Sequence, residues 1–218
     1  MSAVDVSVII PCRNERGAIV SVLERIPDGF EAIVVDNGSI DGTAEVAAEC
    51  GVRVIAEPRP GYGSAVHAGV LAARRPIVCT IDGDGSMSPT ELPGLVDRLR
   101  AGADLVVGRR RPTRPEAWPL HARAGSAAVA WWLRRRYGLP VNDIGPMRAI
   151  ERERLLALGI EDRRSGYPVE LLVRAARSGL RVSECAVTYT PRTAGRSKVS
   201  GSIAGSVQAG RDFLAALS

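Results

Sequence analysis

The sequence predicts an α/β fold in which a doubly wound, mostly parallel β-sheet is flanked by helices. Short β-branched apolar runs alternate with segments of helical periodicity across the first half of the chain. Several of these runs end in glycine, proline or acidic residues, as buried parallel strands do where they enter a loop. The length of 218 residues suits one large domain of this class. We therefore expect right-handed crossovers, with helices on both faces of the sheet.

The first half, residues 1–108, contains the regular part of this pattern. We predict strands over residues 6–10, 32–35, 52–56 and 104–108, and along the apolar run that starts at Ile77. We predict helices over residues 18–25, 44–50, 64–73 and 93–100. Pro11 stops the first strand. Asp41 or Thr43 is a suitable N-cap for the second helix, which Gly51 ends.

The second half, residues 109–218, departs from the alternation. Residues 110–119 hold three prolines, so we predict a loop there. A structured turn over residues 141–148 leads into another strand. We predict helices over residues 122–137, 151–158, 169–178 and 203–217, and a strand over residues 181–190. Because no repeat and no clear linker interrupts the chain, we expect a single domain over residues 1–218.

Two aspartates at the end of the Ile77 run form the first candidate site. Asp82 and Asp84 are two positions apart, so in extended backbone they project to the same side. Gly83 and Gly85 let the chain turn sharply and let a ligand approach the backbone. Such a pair suits a hard divalent cation, because Mg²⁺ takes one or two carboxylates and leaves its other positions to water and phosphate. The alternative is that the aspartates only cap the next helix.

The formal net charge is +5, and the excess of positive charge is local. Eight arginines crowd into one segment: Arg109, Arg110, Arg111, Arg114, Arg123, Arg134, Arg135 and Arg136. Such a patch suits phosphate groups on nucleotides, nucleic acid or anionic lipids. Scattered cysteines without a C-x-x-C pair predict reduced thiols and a cytoplasmic protein. Without a signal-peptide pattern or a membrane-spanning run, any membrane contact is expected at the inner surface of the plasma membrane.

Six segments, taken together, resemble the successive motifs of family 2 glycosyltransferases, whose Rossmann-like fold is named GT-A. They are residues 6–15 (VSVIIPCRNE), 34–43 (VVDNGSIDGT), 82–85 (DGDG), 143–148 (DIGPMR), 166–172 (GYPVELL) and 196–199 (RSKV). The last three are similar to the branch that includes dolichyl-phosphate mannose and polyprenyl-phosphate sugar synthases. The resemblance implies an inverting enzyme, dependent on Mg²⁺ or Mn²⁺, that moves a sugar from a nucleotide-diphosphate sugar to a polyprenyl phosphate. It also implies that residues 1–108 bind the donor and residues 109–218 the acceptor.

For the donor, the resemblance implies a nucleotide-sugar pocket and one metal site. The pocket would be lined by Pro11, Asn14, Glu15, Asp36, Gly63, Asp82, Gly83 and Asp84. Asp84 is the expected direct metal ligand, and Asp82 either bonds the ribose or reaches the metal through water. Relatives often place a Gln-His or similar polar pair where this chain has Ser86 and Met87, so the chain departs from the pattern at a third protein ligand. Asn14 and Asp36 also suit tight turns, which is the alternative role for both.

For the acceptor, the resemblance implies a phosphate site formed by Arg110 and Arg123, since a planar guanidinium can form two hydrogen bonds with phosphate oxygens. Asp143 is the acidic residue expected to face the sugar. It would act as a general base toward a hydroxyl acceptor, whereas a phosphate acceptor is already ionised and needs no base. Arg196 and Lys198 are expected to close over the leaving diphosphate and stabilise its charge.

Other functions share parts of this pattern. A glycosyltransferase acting on a hydroxyl of a soluble or cell-envelope acceptor would use the same donor site. A nucleotidyltransferase would share the architecture, but its glycine-rich, lysine-containing loop should follow the first strand, where this chain has residues 11–14 (PCRN). A nucleic-acid binder would explain the arginines but not the acidic strand ends, so we expect no nucleic-acid partner. Trp131 and Trp132 predict either contact with a membrane surface or packing in the core.

Overall fold

The computed structural model describes residues 5–193, which form one seven-stranded sheet with apolar clusters on both faces. The strands are β1 Val6–Cys12, β2 Glu31–Asp36, β3 Arg53–Ala56, β4 Ile77–Thr80, β5 Leu105–Pro112, β6 Arg148–Glu151 and β7 Val182–Tyr189. The helices are α1 Arg16–Leu23, α2 Thr43–Glu49, α3 Tyr62–Ala72, α4 Leu92–Arg100, α5 Leu120–Tyr137, α6 Arg152–Ala157 and α7 Tyr167–Arg177. The predicted helix over residues 203–217 lies outside the described residues.

The strand order β3-β2-β1-β4-β6-β5-β7 confirms the doubly wound, mostly parallel sheet. Strands β1, β2, β3 and β4 are parallel, as is the β5–β7 pair. Strand β6 is antiparallel to both of its neighbours, β4 and β5. Arg148, the first residue of β6, pairs with Thr80 at the end of β4 and with Val107 of β5. The reversed direction of β6 therefore brings residues 143–147 to the edge at which the parallel strands end.

The two faces of the sheet are covered by separate apolar clusters. Ile9 and Ile10, adjacent in β1, are both fully buried and belong to opposite clusters. The cluster of Ile9 includes Leu172 of α7, and the cluster of Ile10 includes Ile19 of α1 and Leu95 of α4. Successive strand side chains point to opposite faces, so a strand buried on both faces needs a continuous apolar run. This requirement accounts for the sequence pattern that predicts the sheet.

The loop predicted over residues 110–119 is wrong in its first part. Strand β5 extends to Pro112 and pairs with β7 along its full length, up to the pair of Pro112 with Tyr189. Pro112 is tolerated because it ends the strand, where a missing N–H costs little of the ladder. Farther along, Ala117 and Trp118 are buried. Because β5 extends to Pro112, the three arginines that follow Gly108 lie on this strand, and their side chains point alternately to its two faces.

Helix α5 carries the two tryptophans, and they have different surroundings. Trp131 is 54% exposed, and Leu120, at the start of the helix, is 80% exposed. Trp132 is partly buried and packs edge-on against Tyr137, with 5.3 Å between the ring centroids. Trp132 thus belongs to the core and Trp131 to the surface. Within residues 5–193, no helix combines the length and the apolar character that crossing a membrane requires.

Candidate active site

The loops that follow β1 and β2 are joined by hydrogen bonds at the carboxyl edge of the sheet. The N–H of Asn14 donates to Ser39 Oγ, and Asn14 Oδ1 accepts from the N–H of Ile40, both at 2.9 Å. Asn14 has a φ of 55°, a left-handed conformation that asparagine adopts more readily than most residues. The N–H of Glu15 donates to Thr43 Oγ1 at 2.9 Å. Asn14 therefore has the turn-forming role that its residue type allows.

Asp36 ends β2 and has one carboxylate oxygen available to a ligand. Its Oδ2 accepts from the N–H of Ser39 at 3.2 Å. Its Oδ1 is buried and has no hydrogen-bond partner within residues 5–193. Buried carboxylate oxygens are nearly always hydrogen-bonded, so this atom is suited to accept a hydrogen bond from a ligand hydroxyl. Pro11 lies on the neighbouring strand, half-buried and paired with Val35.

Asn37, which the sequence analysis did not identify, fixes the start of α3. Its Nδ2 donates to two loop carbonyls at 2.8 Å each, and its Oδ1 accepts from the N–H of Gly61 at 2.8 Å. The N–H of Gly63 donates to the carbonyl of Arg164 at 3.1 Å. A Cβ on Gly63 would lie 2.6 Å from the carbonyl oxygen of Asp162. Close backbone packing thus requires glycine at this position.

Asp82 and Asp84 lie on the turn that follows β4. Asp84 is only 2% exposed, and its Oδ1 accepts from the N–H of Ser86 at 2.8 Å. A Cβ on Gly83 would lie 2.5 Å from Cys12 Sγ, so a glycine lets the turn pack against β1. Burial, followed by the neighbouring charge of Asp84, raises the pKa of Asp82, and nearby arginines oppose that increase. Two carboxylates on one turn whose charges interact are suited to a bound cation.

The turn over residues 82–86 fits a divalent cation. Oδ2 of Asp84 and Oγ of Ser86 are buried and have no hydrogen-bond partner in the part of the chain that is described. Both are oxygens, the ligand type that Mg²⁺ and Mn²⁺ prefer. No group of three or more acidic, histidine or cysteine side chains within residues 5–193 is placed to hold a metal by itself. A cation on this turn would therefore share its coordination with water and ligand phosphate.

Arg110 and Asp143 form a bidentate ion pair. Arg110 Nη2 lies 2.7 Å from Asp143 Oδ1, and Arg110 Nε lies 2.8 Å from Oδ2. The N–H of Arg110 also donates to Oδ2 at 2.9 Å, and Ser126 Oγ donates to Oδ1 at 2.6 Å. The guanidinium stacks on the ring of Trp118, 3.9 Å from its centroid. Burial favours the neutral acid, but the hydrogen bonds and charge of Arg110 outweigh it and hold the pKa of Asp143 below its usual value.

The other predicted residues of the acceptor half are placed differently. Arg123 is exposed on α5, three residues before Ser126, so the two lie on one side of the helix. Arg110 instead directs its guanidinium at Asp143. The two arginines that were predicted to bind one phosphate are therefore in different surroundings: the side chain of Arg110 is 14% exposed and paired with Asp143, whereas Arg123 is exposed. Arg196 and Lys198 lie outside the described residues.

Arg148 is a buried cation that the sequence analysis did not identify as a site residue. It is 2% exposed, and its Nη2 donates to the carbonyl of Ile144 at 3.1 Å. Its Nε is buried without a hydrogen-bond partner within residues 5–193. Burial lowers the pKa of Arg148, and the nearby side chains of Tyr62, Tyr167 and Asp82 oppose that shift. An arginine inside an apolar strand segment was the available signal, since such a residue is rarely buried without a reason.

Arg192 is the second cation that sequence reasoning missed. Its Nη2 lies 2.9 Å from Asp84 Oδ2, and its Nη1 lies 3.8 Å from Glu15 Oε1. Glu15 is 8% exposed. Among residues 5–193, Asp84 Oδ2 accepts no hydrogen bond, so its contact with Arg192 is an ion pair only. Two acidic residues predicted for the donor site thus share one guanidinium from the far end of the described chain.

The sequence is similar to a family model and to individual glycosyltransferases. Residues 7–150 match the family model for glycosyl transferase family 2. An uncharacterized glycosyltransferase of Mycobacterium tuberculosis is 60% identical over 95% of this chain and 95% of its own length. A dolichyl-phosphate hexose transferase of Haloferax volcanii is 38% identical over 89% of this chain and 86% of its own length.

Among solved structures, the chain is similar to glucosyl-3-phosphoglycerate synthase from Mycobacterium tuberculosis, in a complex with Mn²⁺, uridine diphosphate and glucosyl-3-phosphoglycerate. The TM-score is 0.75 with 28% sequence identity, over 97% of this chain and 78% of the other. These similarities cover nearly the whole chain and concern proteins named for sugar transfer.

Proposed function

The chain belongs to glycosyl transferase family 2, and on this premise we propose that it transfers a sugar from a nucleotide-diphosphate sugar to a polyprenyl phosphate. It is a glycosyltransferase with a GT-A fold. The relative from Haloferax volcanii, which matches along most of its length, is named for a dolichyl-phosphate acceptor. That name supports a lipid phosphate as the acceptor of this chain as well.

The hydrogen bonds and burial of Asp143 are the observations that favour a phosphate acceptor. A general base must present a free oxygen to the proton that it removes and works best with a pKa near the operating pH. The two oxygens of Asp143 already accept four hydrogen bonds from Arg110 and Ser126, and the side chain is 1% exposed. Its pKa is also lowered. A phosphate acceptor, which is ionised near neutral pH, needs no base and fits this arrangement better than a hydroxyl does.

The donor would bind across the ends of β1, β2 and β4. Oδ1 of Asp36, which has no hydrogen-bond partner within residues 5–193, would accept a hydrogen bond from a hydroxyl of the nucleoside. Asp84, with Asp82 beside it, would hold Mg²⁺ or Mn²⁺, which when bound neutralises charge on the leaving diphosphate. The solved complex of the synthase from Mycobacterium tuberculosis, which contains Mn²⁺ and uridine diphosphate, supports both assignments.

In the proposed reaction, a phosphate oxygen of the acceptor bonds to the anomeric carbon while the bond from that carbon to the diphosphate breaks. Attack from the side opposite the leaving group inverts the configuration. Arg123, exposed on α5, would hold the acceptor phosphate, and the Arg110–Asp143 pair would position the sugar. No proton needs to leave the acceptor phosphate, so the described residues need only bind and orient the two substrates.

We assign a peripheral membrane location to match this acceptor. The exposed side chains of Leu120 and Trp131 lie on α5, which ends in three consecutive exposed arginines, residues 134–136. The guanidinium of Arg135 lies 5.8 Å from the ring centroid of Trp131. Tryptophan and basic residues on one helix favour the surface of an anionic bilayer. This placement would put the acceptor site near the lipid whose phosphate it uses.

A second candidate is transfer to the hydroxyl of a soluble acceptor. The observation that favours it is the similarity to glucosyl-3-phosphoglycerate synthase, a protein named for a soluble product. This candidate requires a base other than Asp143, or the release of Asp143 from Arg110.

The deciding experiment screens donors against acceptors with the purified full chain. Uridine- and guanosine-diphosphate sugars are incubated with undecaprenyl phosphate in detergent or with 3-phosphoglycerate, in Mn²⁺, Mg²⁺ or chelator. We expect a lipid-linked sugar, detected by mass spectrometry, only when polyprenyl phosphate and a divalent cation are both present. Sugar appearing on 3-phosphoglycerate without any lipid product would favour the second candidate. A product formed equally well in chelator would exclude the metal assignment.

A further inference from the structure

The segment that follows β7 is bound to the turn that carries Asp84. The N–H of Thr190 donates to the carbonyl of Ser86 at 2.8 Å, and the N–H of Thr193 donates to the carbonyl of Asp84 at 3.2 Å. Gly85 has a φ of 73°, and a Cβ there would collide with Thr193 Oγ1. The turn and the segment therefore fit together closely, and the two residues between the anchoring threonines, Pro191 and Arg192, are held beside this turn.

Arg192 occupies that place and is the ion-pair partner of Asp84 among the described residues. Its Nη2 lies 2.9 Å from Asp84 Oδ2, an oxygen without any hydrogen bond from residues 5–193. The Asp84 side chain is 3% exposed and that of Arg192 is 26% exposed. A buried carboxylate without a counter-ion is costly, so the guanidinium stabilises Asp84 as an anion.

The same oxygen is the one that a divalent cation needs. Oδ1 of Asp84 already accepts from the N–H of Ser86, which leaves Oδ2 as the available ligand atom. Mg²⁺ binds carboxylate oxygens at about 2.0–2.1 Å, and a guanidinium 2.9 Å from that oxygen would repel it. Arg192 has a long, partly exposed side chain that can move while its backbone stays anchored by the flanking threonines. The diphosphate of an arriving donor offers it a new anionic partner of suitable geometry.

Resting on the proposed function, we propose that Arg192 is an internal counter-ion that exchanges partners during donor binding. In the empty enzyme it neutralises Asp84. When donor and cation are bound, it leaves Asp84 Oδ2 and contacts the diphosphate. Metal binding and donor binding are thereby coupled, because the guanidinium opposes the cation alone and favours the cation together with the diphosphate.

This exchange predicts effects of opposite sign in one variant. In Arg192→Met, the Kd for Mn²⁺ in the absence of nucleotide should fall about 3- to 10-fold, since the competing charge is removed. The Kd for uridine or guanosine diphosphate at saturating Mn²⁺ should rise about 10- to 100-fold, since a charged hydrogen-bond donor is lost. A residue that merely supported the fold would weaken both interactions.

The experiment uses the full chain and needs neither sugar nor acceptor. Free Mn²⁺ is measured by electron paramagnetic resonance during titration, and nucleoside diphosphate binding is measured by calorimetry. Arg192→Gln serves as a second neutral variant in case Arg192→Met fails to fold, and the thermal melting temperature reports folding of each. Arg98→Met, an exposed arginine on α4, is the matched control and should change neither Kd.

A Kd for Mn²⁺ that is unchanged or raised in both neutral variants would overturn the proposal. If the proposed function is wrong, the result is different: wild-type protein would bind no Mn²⁺ even with nucleoside diphosphate present. Wild-type binding combined with unchanged variants would therefore reject the role of Arg192 alone.

Discussion

The guanidinium of Arg110 holds both oxygens of Asp143, at 2.7 Å from Oδ1 and 2.8 Å from Oδ2. The two residues are 33 positions apart and come from β5 and from the turn before β6. The side chains of Arg110 and Asp143 are 14% and 2% exposed, so the pair is largely removed from water. This relationship joins a residue predicted to bind phosphate with one predicted to face the sugar, and it constrains what each can do.

Breaking this pair should destabilise the protein. We expect Arg110→Met to lower the free energy of unfolding by roughly 3–5 kcal/mol, because a buried carboxylate would lose its counter-ion. The double variant Arg110→Met with Asp143→Leu should recover much of the loss, since no charge would remain buried. Urea denaturation measures both. The control Arg98→Met should stay within about 0.5 kcal/mol of wild type, and an equally small effect of Arg110→Met would contradict the assignment.

Removing the proposed metal ligand should abolish transfer without unfolding the protein. In Asp84→Asn, Oδ1 can still accept from the N–H of Ser86, but the carboxylate charge is lost. We expect the transfer rate to fall at least about 100-fold, because the cation that neutralises the leaving diphosphate would no longer be held. Asp97→Asn, at an exposed carboxylate of α4, is the matched control. Full activity of Asp84→Asn, or of wild type in excess chelator, would disprove the metal site.

Arg123 should act on the acceptor alone. We expect Arg123→Ala to raise the apparent KM for polyprenyl phosphate by about 10-fold or more, because a charged phosphate contact is lost. The KM for the nucleotide sugar and the melting temperature should stay unchanged, since Arg123 is exposed. Initial-rate kinetics with each substrate varied in turn give the answer. An unaltered acceptor KM, together with a pH–rate profile that loses its acidic limb in Asp143→Asn, would favour a hydroxyl acceptor.

Helix α5 should bind anionic membranes reversibly. We expect the protein to float with vesicles containing phosphatidylglycerol at low salt, and to be released at high salt or from neutral vesicles. Replacing arginines 134–136 by glutamine should weaken binding on the order of 100-fold, at about 1 kcal/mol per basic residue. Trp131→Ala tests the apolar contribution of the same helix. Absence of vesicle binding at low salt would count against the lipid acceptor too.

Asp104 should contribute stability that depends on pH. Its Oδ2 accepts from the side chain and the N–H of Arg181, at 3.0 and 2.8 Å, and these bonds lower the pKa of Asp104. A lowered folded pKa stabilises the protein above the unfolded pKa, about 4, and that stability is lost as the pH falls toward the folded value. We expect Asp104→Asn to cost at most about 2 kcal/mol at pH 7. Urea denaturation at pH 7 and pH 3 should show a smaller cost at pH 3; an equal cost would contradict the prediction.

The sequence alone was enough to predict the sheet and the carboxylates at the ends of its strands. Apolar runs, turn residues and the D-x-D pair are local features, and their effect depends little on distant parts of the chain. Asp36 ends β2, and Asp82 and Asp84 follow β4. Because parallel strands end at one edge of a sheet, the sequence predicts that these three residues lie along the same edge. The family motifs added the expected chemistry of that edge.

The tertiary structure determined which charged side chains form ion pairs with each other. Local pattern placed Arg110 in a loop, whereas pairing with β7 extends β5 through it and directs its side chain to Asp143. Arg192 reaches Asp84 across more than a hundred positions through backbone bonds that form only once the sheet is assembled. Such pairs depend on strand register and on burial, which makes an unpaired charge costly and so selects a partner. Neither register nor burial is a property of the residues near Arg110 or Arg192 in the sequence.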